Sequence, residues 1–325
     1  MGKIMRTAIL FLVLFMGAGH AFAQDEEIVA SIQRLEGSVQ VQVSKSGDTV
    51  QGRKGLLLRD GDTVVTAEEA RATLKFRDGS EIRLFQKTTF QVKAVESKGK
   101  DRFFKVNLFM KLGSFWGNFA KQKQVAQIGT PTATIGIKGT TLRVVDRDGK
   151  ARVALTEGLI DVKNDRTKVE LAPGKRLTDF TSQDDLAKKI ADIPYKLEMQ
   201  SEKKQLEFPS NSPEEVFITV QLVDINKGSN INRAGKLYLR SNYDRISFPA
   251  GSQLDNRGFA RVAVKMDPPQ ASDVDLKGNV YVWAVLDYED GDDTKEGRIL
   301  FKIPVPKGKE RVKVDAKTGQ GKRTN

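Results

Sequence analysis

The lack of cysteine and the presence of a single histidine limit the chemistry that side chains of this sequence could perform. Cysteine is absent from the 325 residues, and His20 is the only histidine. Without cysteine there is no thiolate nucleophile, no disulfide and no thiolate-ligated zinc or iron–sulfur site. If His20 leaves with an N-terminal signal, as argued below, Ser-His-Asp catalysis and histidine-ligated metals are excluded as well. Acid–base chemistry would then depend on carboxylates, lysine or tyrosine.

A stretch rich in lysine and aromatic residues, between residues 98 and 123, is the first candidate for binding chemistry. Cations attract anionic polymers, and aromatic rings stack on sugars. The candidate partner contacts taken from this stretch and from the loop that follows are Lys105, Lys111, Phe115, Trp116 and Lys138. The alternative is an ordinary strand, in which alternate apolar residues face the core and the lysines face water. Nucleic acid binding would use the same residues, but predicted export argues against it.

A cluster of acids near the C-terminus is the best candidate for a metal site. Its members are Asp287, Glu289, Asp290, Asp292, Asp293 and Glu296. Calcium binds closely spaced carboxylates around a glycine turn, but the EF-hand spacing fails here because Leu286 stands at the first ligand position counted back from Gly291. We therefore expect a polar turn between strands, and no metal or cofactor.

Catalysis by a carboxylate pair on a glycosidic bond is the enzyme class that these residues leave open. Among 42 acidic residues some pair will always look plausible. Asp60, Asp62 and Asp78 lie in glycine turns, where aspartate accepts backbone hydrogen bonds. The segment 136–140 lacks the spacing and the following helix of a phosphate-binding loop. The sequence predicts that the protein is not an enzyme, with a carboxylate-dependent glycan hydrolase as the alternative.

Residues 1–23 have the pattern of a secretory signal peptide. Lys3 and Arg6 precede an apolar run over 8–17, and Ala21-Phe22-Ala23 forms a cleavage site before Gln24. Cleavage would leave 52 basic against 42 acidic residues, a formal charge of +10 instead of +12. The run is shorter than the ~20 residues that span a bilayer. We predict a periplasmic or surface-associated protein with at most peripheral membrane contact; the alternative is an uncleaved anchor.

The elements that must position these residues are strands. Over 24–180, apolar and polar residues alternate, for example in 37–43 and 72–76, and Asp-Gly pairs at 78–79 and 148–149 predict hairpin turns. Residues 181–205 combine a capping serine, early acids and later lysines, which predicts a short helical linker kinked at Pro194.

The remaining third of the chain returns to alternation. Six or seven short strands over 206–305 predict an immunoglobulin-like β-sandwich, with Trp283 as its core aromatic residue. Residues 306–325 carry seven basic and two acidic side chains with little apolar content, which predicts a disordered basic tail. The predicted class is all-β: an antiparallel β-domain, a helical connector and a sandwich.

Residues 24–180 resemble the FecR-type domain, the periplasmic part of the ferric citrate sensor. The blocks that carry the resemblance are 35–41, 58–66, 72–80, 112–116, 130–133 and 138–140. Lys138 stands where the family usually has arginine before Gly-Thr, which keeps the charge but removes the bidentate fork. In the sensor this domain relays receptor occupancy to a sigma factor through a membrane helix. Here only the predicted signal precedes the β-region, so the resemblance implies an envelope domain of interaction type.

Together these observations predict a non-catalytic exported envelope protein. Its FecR-like domain would bind an envelope protein or an anionic glycan, in a sensing or scaffold role. The alternatives are the glycan hydrolase already named and, if the signal is retained, a membrane-anchored signalling regulator.

Overall fold

A computed structural model describes most of the chain, and strands dominate it. The described residues are 28–96, 104–121, 126–208, 211–270, 273, 278–287, 293–304, 312–314 and 321–323. They contain no α-helix, and the predicted all-β class is confirmed. Within the same residues, no helix is long and apolar enough to cross a membrane. The predicted signal peptide, residues 1–23, lies outside the described residues.

Seventeen strands form the first unit, which we call the two-layer domain. In chain order they are β1 (Ile28–Glu36), β2 (Val39–Gln42), β3 (Thr49–Gln51), β4 (Leu57–Arg59), β5 (Thr63–Thr66), β6 (Arg71–Phe76), β7 (Glu81–Leu84), β8 (Thr88–Glu96), β9 (Phe104–Asn118), β10 (Ala126–Gly129), β11 (Thr134–Ile137), β12 (Thr141–Arg147), β13 (Lys150–Glu157), β14 (Ile160–Lys163), β15 (Lys168–Leu171), β16 (Lys175–Phe180) and β17 (Ile190–Asp192).

The hydrogen-bonded sheet folds over into two layers that share β9. Layer A has the order β4-β1-β6-β7-β9-β12-β13-β16-β17, and every pair in it is antiparallel. Layer B has the order β3-β2-β5-β8-β9-β10-β11-β14-β15, in which β9 and β10 alone are parallel. Strand β9 pairs within layer B up to Leu112 and within layer A from Gly113 onward.

The core of this domain lies between the layers, where alternate side chains of each strand point inward. Leu74 on β6 and Leu142 on β12 come from layer A, and Val92 on β8 and Ile135 on β11 come from layer B; all four are fully buried. The predicted turns hold the hairpins that carry them. Gly79 joins β6 to β7 with a φ of 87°, and Asp148 and Gly149 join β12 to β13 with positive φ at both positions, as the tightest hairpin turns require.

The predicted helical linker over 181–205 is wrong. Asp185 caps a single 3-10 turn, Leu186–Lys189, by accepting a hydrogen bond from the backbone N–H of Ala187. The chain then continues as strand β17 and, from Tyr195 to Ser201, as strand β18. Because Leu197 is buried and its neighbours are more exposed, β18 follows a period of two, and its pairing with the next strand overrides its helix-friendly composition.

The second unit, which we call the sandwich, consists of two facing sheets. Its strands are β18 (Tyr195–Ser201), β19 (Glu214–Asp224), β20 (Gly235–Ser241), β21 (Ile246–Ser247), β22 (Gln253–Leu254), β23 (Phe259–Met266), β24 (Asn279–Asp287), β25 (Thr294–Lys295) and β26 (Gly297–Lys302). One sheet has the order β21-β23-β19-β18-β25, and the other has the order β22-β20-β24-β26. Their inner faces enclose a second core, which includes Val220, Val262 and Val282.

The prediction that Trp283 is the core aromatic residue of the sandwich is wrong. On β24 the inward positions belong to Val280, Val282 and Ala284, so Trp283 lies on the outer face and is half-buried. Phe301 takes the core position and is fully buried. Of the predicted tail, the structure describes β27 (Val312–Val314) and β28 (Gly321–Arg323), an antiparallel pair. The rest of the tail lies outside the described residues.

Candidate functional site

The two aromatic residues predicted as partner contacts are buried. Phe115 is fully buried between the two layers, where its ring meets that of Phe90 edge-on at 5.6 Å. Trp116 points the other way from β9 and is 3% exposed, because the sandwich covers it. The prediction of an exposed stacking surface at these rings is therefore wrong. A strand covered on both faces buries successive residues, and alternation alone does not reveal this.

The predicted lysines do not form one patch. Lys111 and Lys138 are exposed, and the backbone of Lys105 lies in β9, although its side chain is outside the described part of the chain. Asn107 pairs with Gln127 and Ala126 pairs with Ile137, so Lys138 lies near the Lys105 end of β9. Lys111 is six residues along the strand, roughly 20 Å away at about 3.3 Å per residue.

The described acids of the cluster near the C-terminus lie beside arginines. Of its six members, Asp287, Asp293 and Glu296 are described, and the others fall in the undescribed segment 288–292. The Asp287 carboxylate forms an ion pair with the Arg71 guanidinium, and Asp293 Oδ2 lies 3.3 Å from Arg176 Nη1. Both pairs join the sandwich to the two-layer domain. Within the described ranges, no group of three or more potential metal ligands occurs.

These contacts belong to a larger surface, which we call the domain junction. Its first half is the outer face of layer A, whose outward positions carry arginines: Arg71, Arg83, Arg143, Arg147, Arg152 and Arg176. The β20–β24 side of the sandwich forms the second half. At its centre, Phe85 and Trp116 pack against Tyr238 and Val285. Charged groups therefore surround a small apolar centre.

Arginine–aromatic contacts fix the geometry of the junction. The guanidinium of Arg83 lies 4.2 Å above the centre of the Tyr238 ring. The Tyr238 hydroxyl donates a hydrogen bond to the carboxylate of Glu81 across the junction. The guanidinium of Arg240 lies 5.0 Å from the Trp116 ring and 4.1 Å from the Trp283 ring. The contacts on Tyr238 and Trp116 place a weakly hydrated cation on a buried ring, where the attraction is strongest.

Burial changes the ionisation of several junction residues. Desolvation raises the pKa of Asp293, although Arg143, Arg152 and Arg176 oppose the shift. Desolvation also raises the pKa of Glu296 to about 7, with Arg240 opposing it. The same cause lowers the pKa of Arg143 and raises that of the Tyr238 hydroxyl. The junction thus holds charges at a considerable desolvation penalty.

A cleft of about 660 Å³ opens at one side of the junction. The two-layer domain contributes Arg34, Arg53, Lys54 and Arg83 to its wall, together with one acid, Glu36. The sandwich contributes residues 237–239 and the turn 248–252. Four cations against one carboxylate make the cleft strongly positive.

Neither the cleft nor the junction was found by sequence reasoning, although one signal was present. The buried or half-buried cations at outward positions on β6, β7, β12 and β13 are arginines, whereas Lys75 and Lys150 on these strands and the lysines at outward positions of β8, β9 and β14 are exposed. Arginine is the less hydrated cation and is preferred at covered surfaces. The change from lysine to arginine therefore marks the face that the sandwich covers.

Comparison with known proteins supports the resemblance seen in the sequence. Residues 62–161 match the family model described as FecR protein. This segment is a FecR domain. The match runs from β5 to β14, so it covers the shared strand β9 and both layers around it. The remaining strands of the two-layer domain extend the same two layers beyond the matched FecR segment.

Among solved structures, the matches include two crystal structures, at 1.65 Å and 2.50 Å, of a “putative anti-sigma factor” from Parabacteroides distasonis ATCC 8503. Each match has 15% sequence identity and a TM-score of 0.33 and covers 40% of the present chain. The chain spans 57% of the length of these solved proteins. None of the curated proteins matches this chain.

Proposed function

We propose that this protein is an exported, non-catalytic protein of the cell envelope whose FecR domain binds an envelope protein or an anionic glycan in a sensing or regulatory role. The FecR match over 62–161 is the observation that carries the proposal. The predicted signal peptide supports export. The packing of the two domains also supports a binding role. The sandwich covers the outer face of layer A, so the outer face of layer B stays open to a partner.

The open face is the outer side of layer B. Exposed polar side chains at its outward positions come from six strands: Gln40, Gln42, Lys93, Lys111, Gln127, Thr134, Asp161 and Lys163. Lys111, one of the predicted contacts, lies on this face, and Lys138 lies beyond the end of β11. With the exposed Lys168 and Glu170 of β15, which pair with Lys163 and Asp161, this face carries four lysines against two acids, an excess that favours a partner with acidic groups.

A sedimentation experiment tests the proposal for a glycan. Three proteins are each incubated with purified peptidoglycan: the parent, a layer B variant and a control variant. The layer B variant has glutamate in place of Lys93, Lys111 and Lys163. The control has glutamate in place of Lys204, Lys227 and Lys265 of the sandwich. We expect the parent and the control to sediment with the glycan and the layer B variant to stay in solution. Soluble fragments released from the glycan would instead support the hydrolase and contradict a non-catalytic role.

A second experiment tests for a protein partner. A photoreactive residue in place of Lys111 is cross-linked in intact cells, and the same residue in place of Lys265 serves as the control. Capture of one envelope protein from position 111 alone would support the proposal. If neither a protein is captured nor glycan is bound, the proposed role of layer B is wrong. Sequencing of the mature N-terminus distinguishes Gln24, expected for export, from Met1, expected for an anchored regulator.

A further inference from the structure

The cleft at the domain junction has the size and composition of a small-molecule site. Its volume of about 660 Å³ falls in the usual range of roughly 300–1,000 Å³ for such sites. Leu35, Leu237, Phe248 and Pro249 give it an apolar wall, next to the four cations already named. An apolar wall with a few convergent charges is the usual composition of a site for an anionic organic molecule. This cleft is separate from the open face of layer B.

Arg83 provides a fixed anion-binding group in this cleft. The residue is 5% exposed, and its Nη1 atom donates to the Thr73 hydroxyl at 3.3 Å. The Tyr238 ring lies against the guanidinium at 4.2 Å, on the side of the sandwich. Its buried Nε atom has no hydrogen-bond partner among the described residues. The guanidinium is therefore held in place before any ligand arrives.

The Arg83 guanidinium already donates one hydrogen bond to a carboxylate of the chain itself. Glu36 Oε1 accepts from Arg83 Nη2 at 3.2 Å, and the Glu36 side chain is 58% exposed. An ion pair with one mostly solvated partner contributes little to stability. The Glu36 carboxylate can therefore be exchanged for that of a ligand at small cost, whereas Arg83 cannot move away.

We propose that the cleft binds a small organic acid whose carboxylate replaces that of Glu36 on Arg83. Arg34, Arg53 and Lys54 add positive potential around the carboxylate, and the rest of the ligand lies against Phe248 and Leu237. Because the wall comes from both domains, an occupant touches the FecR domain and the sandwich at once.

Binding of defined acids and of their neutral amides to the mature protein tests this site. The probes are 3-phenylpropionate and glucuronate, each paired with its amide and measured by calorimetry. We expect at least one acid to bind and its amide to bind at least about tenfold more weakly, because the amide lacks the charge that Arg83 recognises. Comparing the aromatic acid with the sugar acid shows whether the cleft prefers an apolar or a polar group beside the carboxylate. Binding of neither acid, or equal binding of acid and amide, would overturn the proposal.

Variants locate the site. Arg53→Gln combined with Lys54→Gln removes two exposed cations without disturbing a core, and we expect about tenfold weaker binding of the acid. Glu36→Gln removes the competing carboxylate and should strengthen binding about two- to fivefold, as expected for loss of a mostly exposed ion pair. Lys227→Gln combined with Lys265→Gln, at exposed positions on the sandwich and outside the cleft, is the matched control and should change nothing. Equal effects of the Arg53/Lys54 pair and of the control pair would place the acid elsewhere.

Discussion

At the level of single residues, the two outer faces of the two-layer domain use different cations. The face under the sandwich carries arginines, and two of them lie on rings: Arg83 on Tyr238 and Arg143 on Phe85. The open face carries Lys93, Lys111 and Lys163, which are exposed. A guanidinium can be buried against a ring because it is weakly hydrated, whereas an ammonium group remains solvated. The residue type thus records which face is covered.

Glu296 should make the stability of the protein depend on pH. Its pKa is raised from the ordinary value of 4.5 to about 7 by burial, and its carboxylate lies 3.9 Å from Arg240 Nη2. The native state therefore favours the protonated form of Glu296. The contribution of this group to the free energy of unfolding is complete below pH 4.5 and is lost as the pH rises through 7. We expect the unfolding free energy of the parent to fall by about 3 kcal/mol relative to Glu296→Gln between pH 4.5 and 8.

Chemical denaturation of both proteins at a series of pH values measures this difference. Glutamine has nearly the shape of protonated glutamate and does not ionise, so the two proteins should resemble each other most at low pH. The neighbouring carboxylates of Glu157 and Glu81 also raise the pKa of Glu296, so their repulsion of its charge is part of the expected difference between the two proteins. Parallel pH profiles would contradict the prediction.

At the level of elements, alternation predicted the strands well, and composition predicted the connector badly. The hairpins around Asp78-Gly79 and Asp148-Gly149 follow from turn chemistry that is local to the sequence. Strand β18 depends on its pairing with β19, which lies more than ten residues further along the chain, so its charged, helix-friendly composition was misleading. Period-two burial of Leu197 was the local signal that the helical interpretation overlooked.

Gly113 should be essential for strand β9 to pass from one layer to the other. Its φ is 115°, and a Cβ at this position would overlap Thr88, whose hydroxyl accepts from the Ser114 N–H at 3.0 Å. We expect Gly113→Ala to lower the unfolding free energy by about 3 kcal/mol or more, because backbone strain and steric overlap add. Gly149→Ala is the control, since its φ of 72° is also positive but nothing lies within 4 Å of the added atom.

Urea denaturation of both variants separates the two contributions. The control should lose only about 1 kcal/mol, the usual penalty for a left-handed alanine. A loss at Gly113 no larger than at Gly149 would show that the crossing tolerates a side chain and that the close approach to Thr88 is not important.

At the scale of the whole molecule, a buried ion pair should couple the two domains. The side chains of Arg71 and Asp287 are 5% and 2% exposed. Removing one partner leaves an uncompensated buried charge, so Asp287→Ala should destabilise the junction by about 3–5 kcal/mol. Because the destabilisation falls on the junction and on neither core, we expect the parent to unfold in one calorimetric transition and Asp287→Ala in two. The double variant Arg71→Met, Asp287→Leu should recover much of the loss.

A surface ion pair provides the comparison. Lys87 Nζ and Glu68 Oε1 are 2.7 Å apart, and both side chains are mostly exposed. Glu68→Gln should leave the calorimetric trace unchanged, since exposed pairs contribute little. An Asp287→Ala trace that matches the parent would show that the domains are not coupled through this pair.

The candidate site could be predicted only in part, because it depends on contacts between distant segments. The lysines of β9 and the acids near residue 290 were both recognised as charged clusters. Their roles depend on what faces them: two of the described acids, Asp287 and Asp293, meet Arg71 and Arg176, more than a hundred residues away. The cleft combines residues near 34, 53 and 83 with the turn 248–252. A pattern within one segment carries no information on such a pairing.

The short connection between the domains has a mechanical consequence. Two residues, Ile193 and Pro194, separate β17 from β18, and both are tied down: the Ile193 N–H donates to the Gly174 carbonyl at 2.9 Å, and the Pro194 carbonyl accepts from the Ile225 N–H at 2.9 Å. The connection therefore cannot lengthen unless one of these hydrogen bonds breaks. A pull on the sandwich, such as a bound partner in a moving envelope would exert, would load the hydrogen bonds between β16 and β17 at once. The connection would transmit force from one domain to the other without first extending.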